Sequence, residues 1–293
     1  MIADVHARCD FARTLAGDPL RYAHGCEARE DREVAALLGA LLAFGNVRTI
    51  LAKLDALIVA RLDGAPGRVA RGEDRASLAR RLAGWRHRTF AGDDVAALLF
   101  AAGELLRRDG SVYASLARAY RDTDDLREAL ARWVAALRAL AWPEGPSRAA
   151  RHLLPDPRGA SACKRLQLLM RWIVRDEHPD LGLVKEIPPS ALVIPLDVHI
   201  HRIALNLGLT ARTAATWETA EEITEALRAL SMDDPVRYDM AVCHLGIAQR
   251  CPSRRDVARC EGCALKPVCR HWWRRGGAAV GGSTEESNLP SDA

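Results

Sequence analysis

Several features are missing from this 293-residue chain, and each omission narrows what it can be. No run approaches the roughly 18 consecutive apolar residues of a membrane-spanning helix, so no membrane association is expected. The opening MIADVHARCDF has no apolar core of a secretory leader, and a cytoplasmic location is expected, at the nucleoid in a bacterial cell. Aromatic residues make up only 5% of the chain, and no stretch alternates apolar with polar residues long enough to form a strand. With Ala, Leu and Arg abundant, these absences favour an all-α fold. No internal repeat is visible.

The residues present describe a globular protein of one or two domains, 49% hydrophobic and 27% charged. The net charge of +4 is modest, but it is unevenly spread. Arg250, Arg254, Arg255, Arg259, Lys266, Arg270, Arg274 and Arg275 are opposed in that stretch only by Asp256 and Glu261. Such a surface suits a polyanion; the plainer alternative is a solvated basic tail.

Helical spacing recurs along the chain. It joins Val34, Leu37, Leu38 and Leu41, then Val95, Leu98, Leu99, Ala102 and Leu105, and again Leu126, Leu130, Trp133 and Leu137. Further faces run through Leu166, Leu169, Met170 and Ile173, through Ile200, Ile203, Ala204 and Leu207, and through Trp217, Ala220, Ile223 and Leu227. Asp63 to Arg75 is turn-rich and reads as a surface loop, and Asp234-Pro235 as the start of the last helix. The tail from 276 is small and polar, and disorder is expected there.

Two constellations carry chemistry. Cys251, Cys260, Cys263 and Cys269 lie at gaps of eight, two and five residues. In a reducing compartment, four close thiolates read as metal ligands rather than disulfides. Their uneven spacing suits a [4Fe–4S] cluster; zinc, which favours two short-spaced ligand pairs, is the alternative. Cys9, Cys26, Cys163 and Cys243 are dispersed and read as small buried side chains.

The second constellation is PLDVHIHR. Pro195 keeps the helix from starting earlier, so Asp197 falls at its N-terminus, where the field favours a carboxylate. A bare cap is the plain reading of such an aspartate. An ionised, partly desolvated carboxylate also suits a cationic transition state. His199 and His201 do not share a helix face and make a poor metal pair.

PLDVHIHRIALNLGL, followed by HLGIAQRC and the four cysteines, resembles the helix-hairpin-helix DNA glycosylases, the superfamily of endonuclease III. More narrowly, the chain resembles an uncharacterised bacterial family with ACKRLQLLMRW-like and IPLDVH-like segments. The superfamily resemblance is specific from about Ile194 to His271. It implies a two-lobed all-α fold ending in a four-cysteine loop, with Asp197 as the catalytic carboxylate and a [4Fe–4S] cluster on Cys251, Cys260, Cys263 and Cys269. It also implies cleavage of the N-glycosidic bond of a damaged base in double-stranded DNA, by a protein expected to be a monomer.

Two departures stand out. The first cysteine gap is eight residues where the family has six, and the LPGVG-type hairpin is replaced by LLPDPRGASACK. Gly159 echoes the hairpin glycine as a candidate DNA contact. Lys164 is the candidate nucleophile for lyase chemistry, 33 positions before Asp197; this longer interval resembles the archaeal 8-oxoguanine glycosylases and suggests an oxidised purine. Arg254, Arg255 and Arg259 are candidate phosphate contacts. Trp85, His87, Arg88 and Trp142 are pocket candidates by residue type alone, with core packing the plainer role of the tryptophans. The implied organisation is an N-terminal helix (1–30), a middle lobe (31–186), the rest of the cluster lobe (187–275) and the tail (276–293). A non-catalytic iron–sulfur nucleic-acid-binding protein of the same fold is the alternative.

Overall fold

The computed structural model describes residues 1–248 and 250–272; Arg274, Arg275 and the expected disordered tail lie outside the described residues. Its helices are α1 (Ile2–Ala7), α2 (Phe11–Ala16), α3 (Arg21–His24), α4 (Arg29–Leu41), α5 (Val47–Leu54), α6 (Pro66–Gly72), α7 (Arg75–Arg81), α8 (Gly92–Asp109), α9 (Ala114–Thr123), α10 (Leu126–Ala141), α11 (Arg148–Leu153), α12 (Lys164–Val174), α13 (Val198–Leu207), α14 (Trp217–Arg228) and α15 (Asp239–Ala248). The all-α expectation holds, apart from a two-residue strand pair, β1 (Arg86–His87) and β2 (Phe90–Ala91).

Helix α4 is the hub and packs against α3, α6, α8 and α12. Its apolar face, Val34, Leu37, Leu38 and Leu41, is fully buried. Two acids on the same helix reach far along the chain. Asp31 accepts from the amides of Gly67 at 2.8 Å and Arg68 at 2.9 Å, so a residue 36 positions upstream caps α6. Glu33 accepts from Ser111 Oγ and from the Val112 amide. A Cβ at Gly67 would lie 2.3 Å from the Glu30 backbone, so α4 and α6 meet only where a side chain is missing.

Several features of the chain escape sequence periodicity, and the span 1–30, expected as one N-terminal helix, holds α1, α2 and α3. The turn-rich stretch from Asp63 contains α6, and neither α9 nor α11 is anticipated. The last helix starts at Asp239 rather than at Asp234-Pro235. Asp234 accepts instead from Arg175 Nε at 2.8 Å, and this ion pair takes the carboxylate that a cap would have used. Around it runs a buried chain of charge: Arg175 also pairs with Asp180, and Arg171 reaches Asp180 at 3.3 Å and Asp239 at 2.6 Å. It ties α12 to the start of α15, while α13 packs on α15 and α15 on α1.

Candidate active site and cysteine loop

Asp197 occupies the expected cap. Its Oδ1 accepts from the amides of His199 and Ile200, both at 2.9 Å, which leaves Oδ2 pointing elsewhere. There the Cys243 thiol donates to it at 3.7 Å, so this cysteine, expected to be simple filler, touches the candidate carboxylate. Behind both sits Asp239. Burial pushes its carboxyl up to about 6 against the pull of Arg171, with repulsion from Asp197 adding to the rise.

Lys164 opens α12, preceded by Cys163 in a left-handed backbone conformation (φ 48°). Asp197 and Lys164 line one cleft of about 440 Å³, together with Phe44, His152, Arg165 and Val198. Among the described residues Lys164 forms no hydrogen bond or ion pair, so its amine is uncommitted within that cleft.

Arg165 builds the cleft wall. It is buried and donates to the carbonyls of Leu41 and His152, the last residue of α4 and the last turn of α11. Burial lowers its pKa to about 10, which leaves it charged at neutral pH. The negative ends of two helices therefore compensate a cation that has no carboxylate partner among the described residues. Phe44 projects beside it, edge-to-face with His152 (centroids 4.9 Å apart) and covered by the Arg88 guanidinium at 4.7 Å. Of the four pocket candidates, Arg88 alone reaches the cleft rim, through Phe44. Trp85 is core and donates to Lys53 O at 3.3 Å, Trp142 packs against the core, and His87 is buried behind the Phe44 loop.

His87 yields a pH prediction. Its ring nitrogens have no hydrogen-bond partner among the described residues, and burial lowers its pKa from 6.5, countered in part by the nearby Phe44 and Leu42 carbonyls. Below pH 6.5 the unfolded chain takes up a proton that the folded chain refuses, so this residue's contribution to stability falls as pH falls. Thermal melts from pH 7.5 downward should show a shallower loss in His87→Leu than in the wild type. Equal slopes would contradict the assignment.

The loop from Leu154 to Cys163 is pinned by arginines. Arg127 donates to Pro157 O at 2.9 Å and to Gly159 O at 3.4 Å, and Arg138 to Leu154 O at 3.0 Å. Gly159 is exposed, but its own N–H is donated to Asp156 O at 3.1 Å, so a phosphate there would compete with that bond.

Cys251, Cys260, Cys263 and Cys269 line a single small cavity of about 30 Å³, along with Leu207, Leu245 and Trp272. All four are free thiols. Burial raises the Cys251 and Cys269 thiols, and the neighbouring thiols add to the effect. Four soft donors around one apolar space fit a thiolate-bound metal group by chemistry. Among the described residues, though, no three His, Cys, Asp or Glu side chains are drawn together as a coordination shell. Arg254, Arg255 and Arg259 are all exposed. Arg259 pairs with Asp256 at 3.4 Å, while Arg255 and Lys266 lie over the Trp272 ring at 4.2 and 4.4 Å.

Phe44, His152, Arg165 and Asn206 were not singled out by the sequence. The first three meet only through tertiary packing, and Asn206 stands in an ordinary helical run. Residues 18–248 match the model of a family described as a protein of unknown function (DUF2400), a span that includes Lys164 and Asp197 and ends ahead of Cys251. No curated protein and no solved structure matches the chain.

Proposed function

The chain belongs to the DUF2400 family, whose description assigns no activity, and from the geometry of the cleft we propose that it is a DNA glycosylase-like enzyme that removes a damaged base, an oxidised purine being the preferred lesion. One observation carries the reading: Lys164 and Asp197, 33 positions apart, line the same cleft. A nucleophilic amine and a capped carboxylate in one cleft are the groups that glycosidic chemistry needs.

In this reading the protein has two helical lobes with DNA between them. The target nucleotide turns out of the duplex at an unstacking cost of about a few kcal/mol. As the C1′–N bond breaks, its electron pair leaves with the base, which gains a proton. Asp197 stabilises the cationic sugar that remains. In the hydrolytic route a water oxygen bonds to C1′ and gives up its proton. In the lyase route the Lys164 nitrogen bonds to C1′ through its lone pair, the C1′–O4′ bond then breaks as the nitrogen's proton passes to O4′, and a Schiff base remains. Cys251, Cys260, Cys263 and Cys269 would hold a [4Fe–4S] cluster, whose contribution is to keep the loop rigid. Arg254, Arg255 and Arg259 on that loop contact phosphates.

A second reading is a non-catalytic nucleic-acid-binding protein. The altered hairpin favours it: LLPDPRGASACK replaces the LPGVG-type sequence and the Gly159 N–H is spent on Asp156 O, so the grip on the target strand is weakened while the basic cysteine loop is kept. Lesion-bearing duplexes with borohydride trapping separate the two. The wild type is expected to give a covalent adduct that Lys164→Ala abolishes. An adduct that survives Lys164→Ala removes Lys164 as the nucleophile. Lesion binding with no cleavage or trapping by any form of the protein would establish the second reading.

A further inference from the structure

Asn206 lies in the last turn of α13 and is buried, and its hydrogen-bonding capacity is spent on the cysteine loop. Its Nδ2 donates to Cys251 Sγ at 3.3 Å and to Pro252 O at 3.0 Å. Its Oδ1 pairs with His271 Nε2 at 3.0 Å, and its backbone carbonyl accepts from the Arg270 amide at 2.7 Å. Since Pro252 O can only accept, the amide's orientation is fixed and His271 Nε2 must be the donor. One residue thus grips the loop's entrance, Cys251-Pro252, and its exit, Arg270-His271. Arg202, one turn earlier, adds a bond to Cys251 O at 3.0 Å.

We propose that Asn206 is the positioning residue of the cysteine site: it closes the loop in advance and donates an N–H to one ligand sulfur, which sets how firmly the site holds its metal group and how readily that group is reduced. The inference rests on the four-thiolate reading of the loop. Holding the loop ends together lowers the entropy cost of gathering ligands spread over nineteen positions. A hydrogen bond to a ligating sulfur stabilises the more electron-rich state of an iron–sulfur group. Removing the amide also strands the Pro252 carbonyl.

The test uses the full chain purified without oxygen, comparing wild type, Asn206→Ala and Asn206→Asp for iron release to a chelator and for midpoint potential. Losing a partner of this kind typically weakens metal affinity about 10–100-fold, so release from Asn206→Ala should be at least about tenfold faster. Its midpoint potential should be more negative, a shift that looser packing alone would not require. Asn206→Asp keeps the volume and the acceptor for His271 but turns a carboxylate toward Cys251, and it should also release iron faster. Wild-type release and potential in Asn206→Asp would overturn the proposal, even if Asn206→Ala failed to fold. A wild type that carries neither iron nor sulfide would overturn the metal reading itself, a result distinct from a loaded wild type with indifferent variants.

Discussion

Asp197→Asn is expected to lower base release by about 10²–10³-fold, the usual cost of losing a charge-stabilising group at a reacting centre. The fold should be unaffected. Asparagine is as good a helix cap as aspartate, so the bonds from the His199 and Ile200 amides, each 2.9 Å, have an acceptor after the change. The charge is removed, and with it the oxygen that accepts from the Cys243 thiol at 3.7 Å. Single-turnover base release, with the melting temperature as a fold control, checks both parts. Equal turnover in the two proteins would mean that Asp197 is a cap and nothing more. Asp197→Ala is the less informative variant, because it costs about 1 kcal/mol of capping as well as the charge.

The second large effect is expected from Cys260→Ala. Cys260 is the buried member of the four thiols, and the site in this reading has no spare ligand to replace it. Iron and sulfide content should fall to near zero, and the loop should become the preferred point of protease cleavage, with the α4–α12 body intact. Structural metals contribute on the order of 10 kcal/mol to small sites, and without one the loop is held at its ends by the Asn206 and Arg202 bonds. Binding to undamaged duplex should weaken, and its salt dependence should flatten by about 0.9 in log–log slope for each phosphate that the loop no longer neutralises. Retention of full iron content by Cys260→Ala would remove it from the ligand set.

How much of this was readable in advance depended on the range of each interaction. The Asp197 cap was legible because it is local: Pro195 bars an earlier start, and the acceptor lies two and three residues from its donors. The grouping of the cysteines was legible from spacing alone, since nineteen residues cannot stray far. The partners of Asp31 and Glu33 were not, because the amides they accept from lie 36 and 79 positions away. Asp234 illustrates a competition. Its local context favours a cap, but the buried Arg175 draws the carboxylate into an ion pair, and the helix begins only at Asp239. Arg165 is not legible in advance, because a Lys-Arg pair at a helix start gives no sign that the arginine closes the ends of two other helices.

Helix α13 carries Asp197 at one end and Asn206 near the other. At about 1.5 Å per residue, the nine positions between them make about 13.5 Å of rise. Asp197, Val198 and His199 at its start line the cleft, and Ile203, Asn206 and Leu207 toward its end line the cysteine cavity. A rigid shift of the helix would therefore move both sites together. A one-residue insertion in α13 would turn its ends by about 100° relative to each other, so the phase of this helix is as strict a requirement as its length.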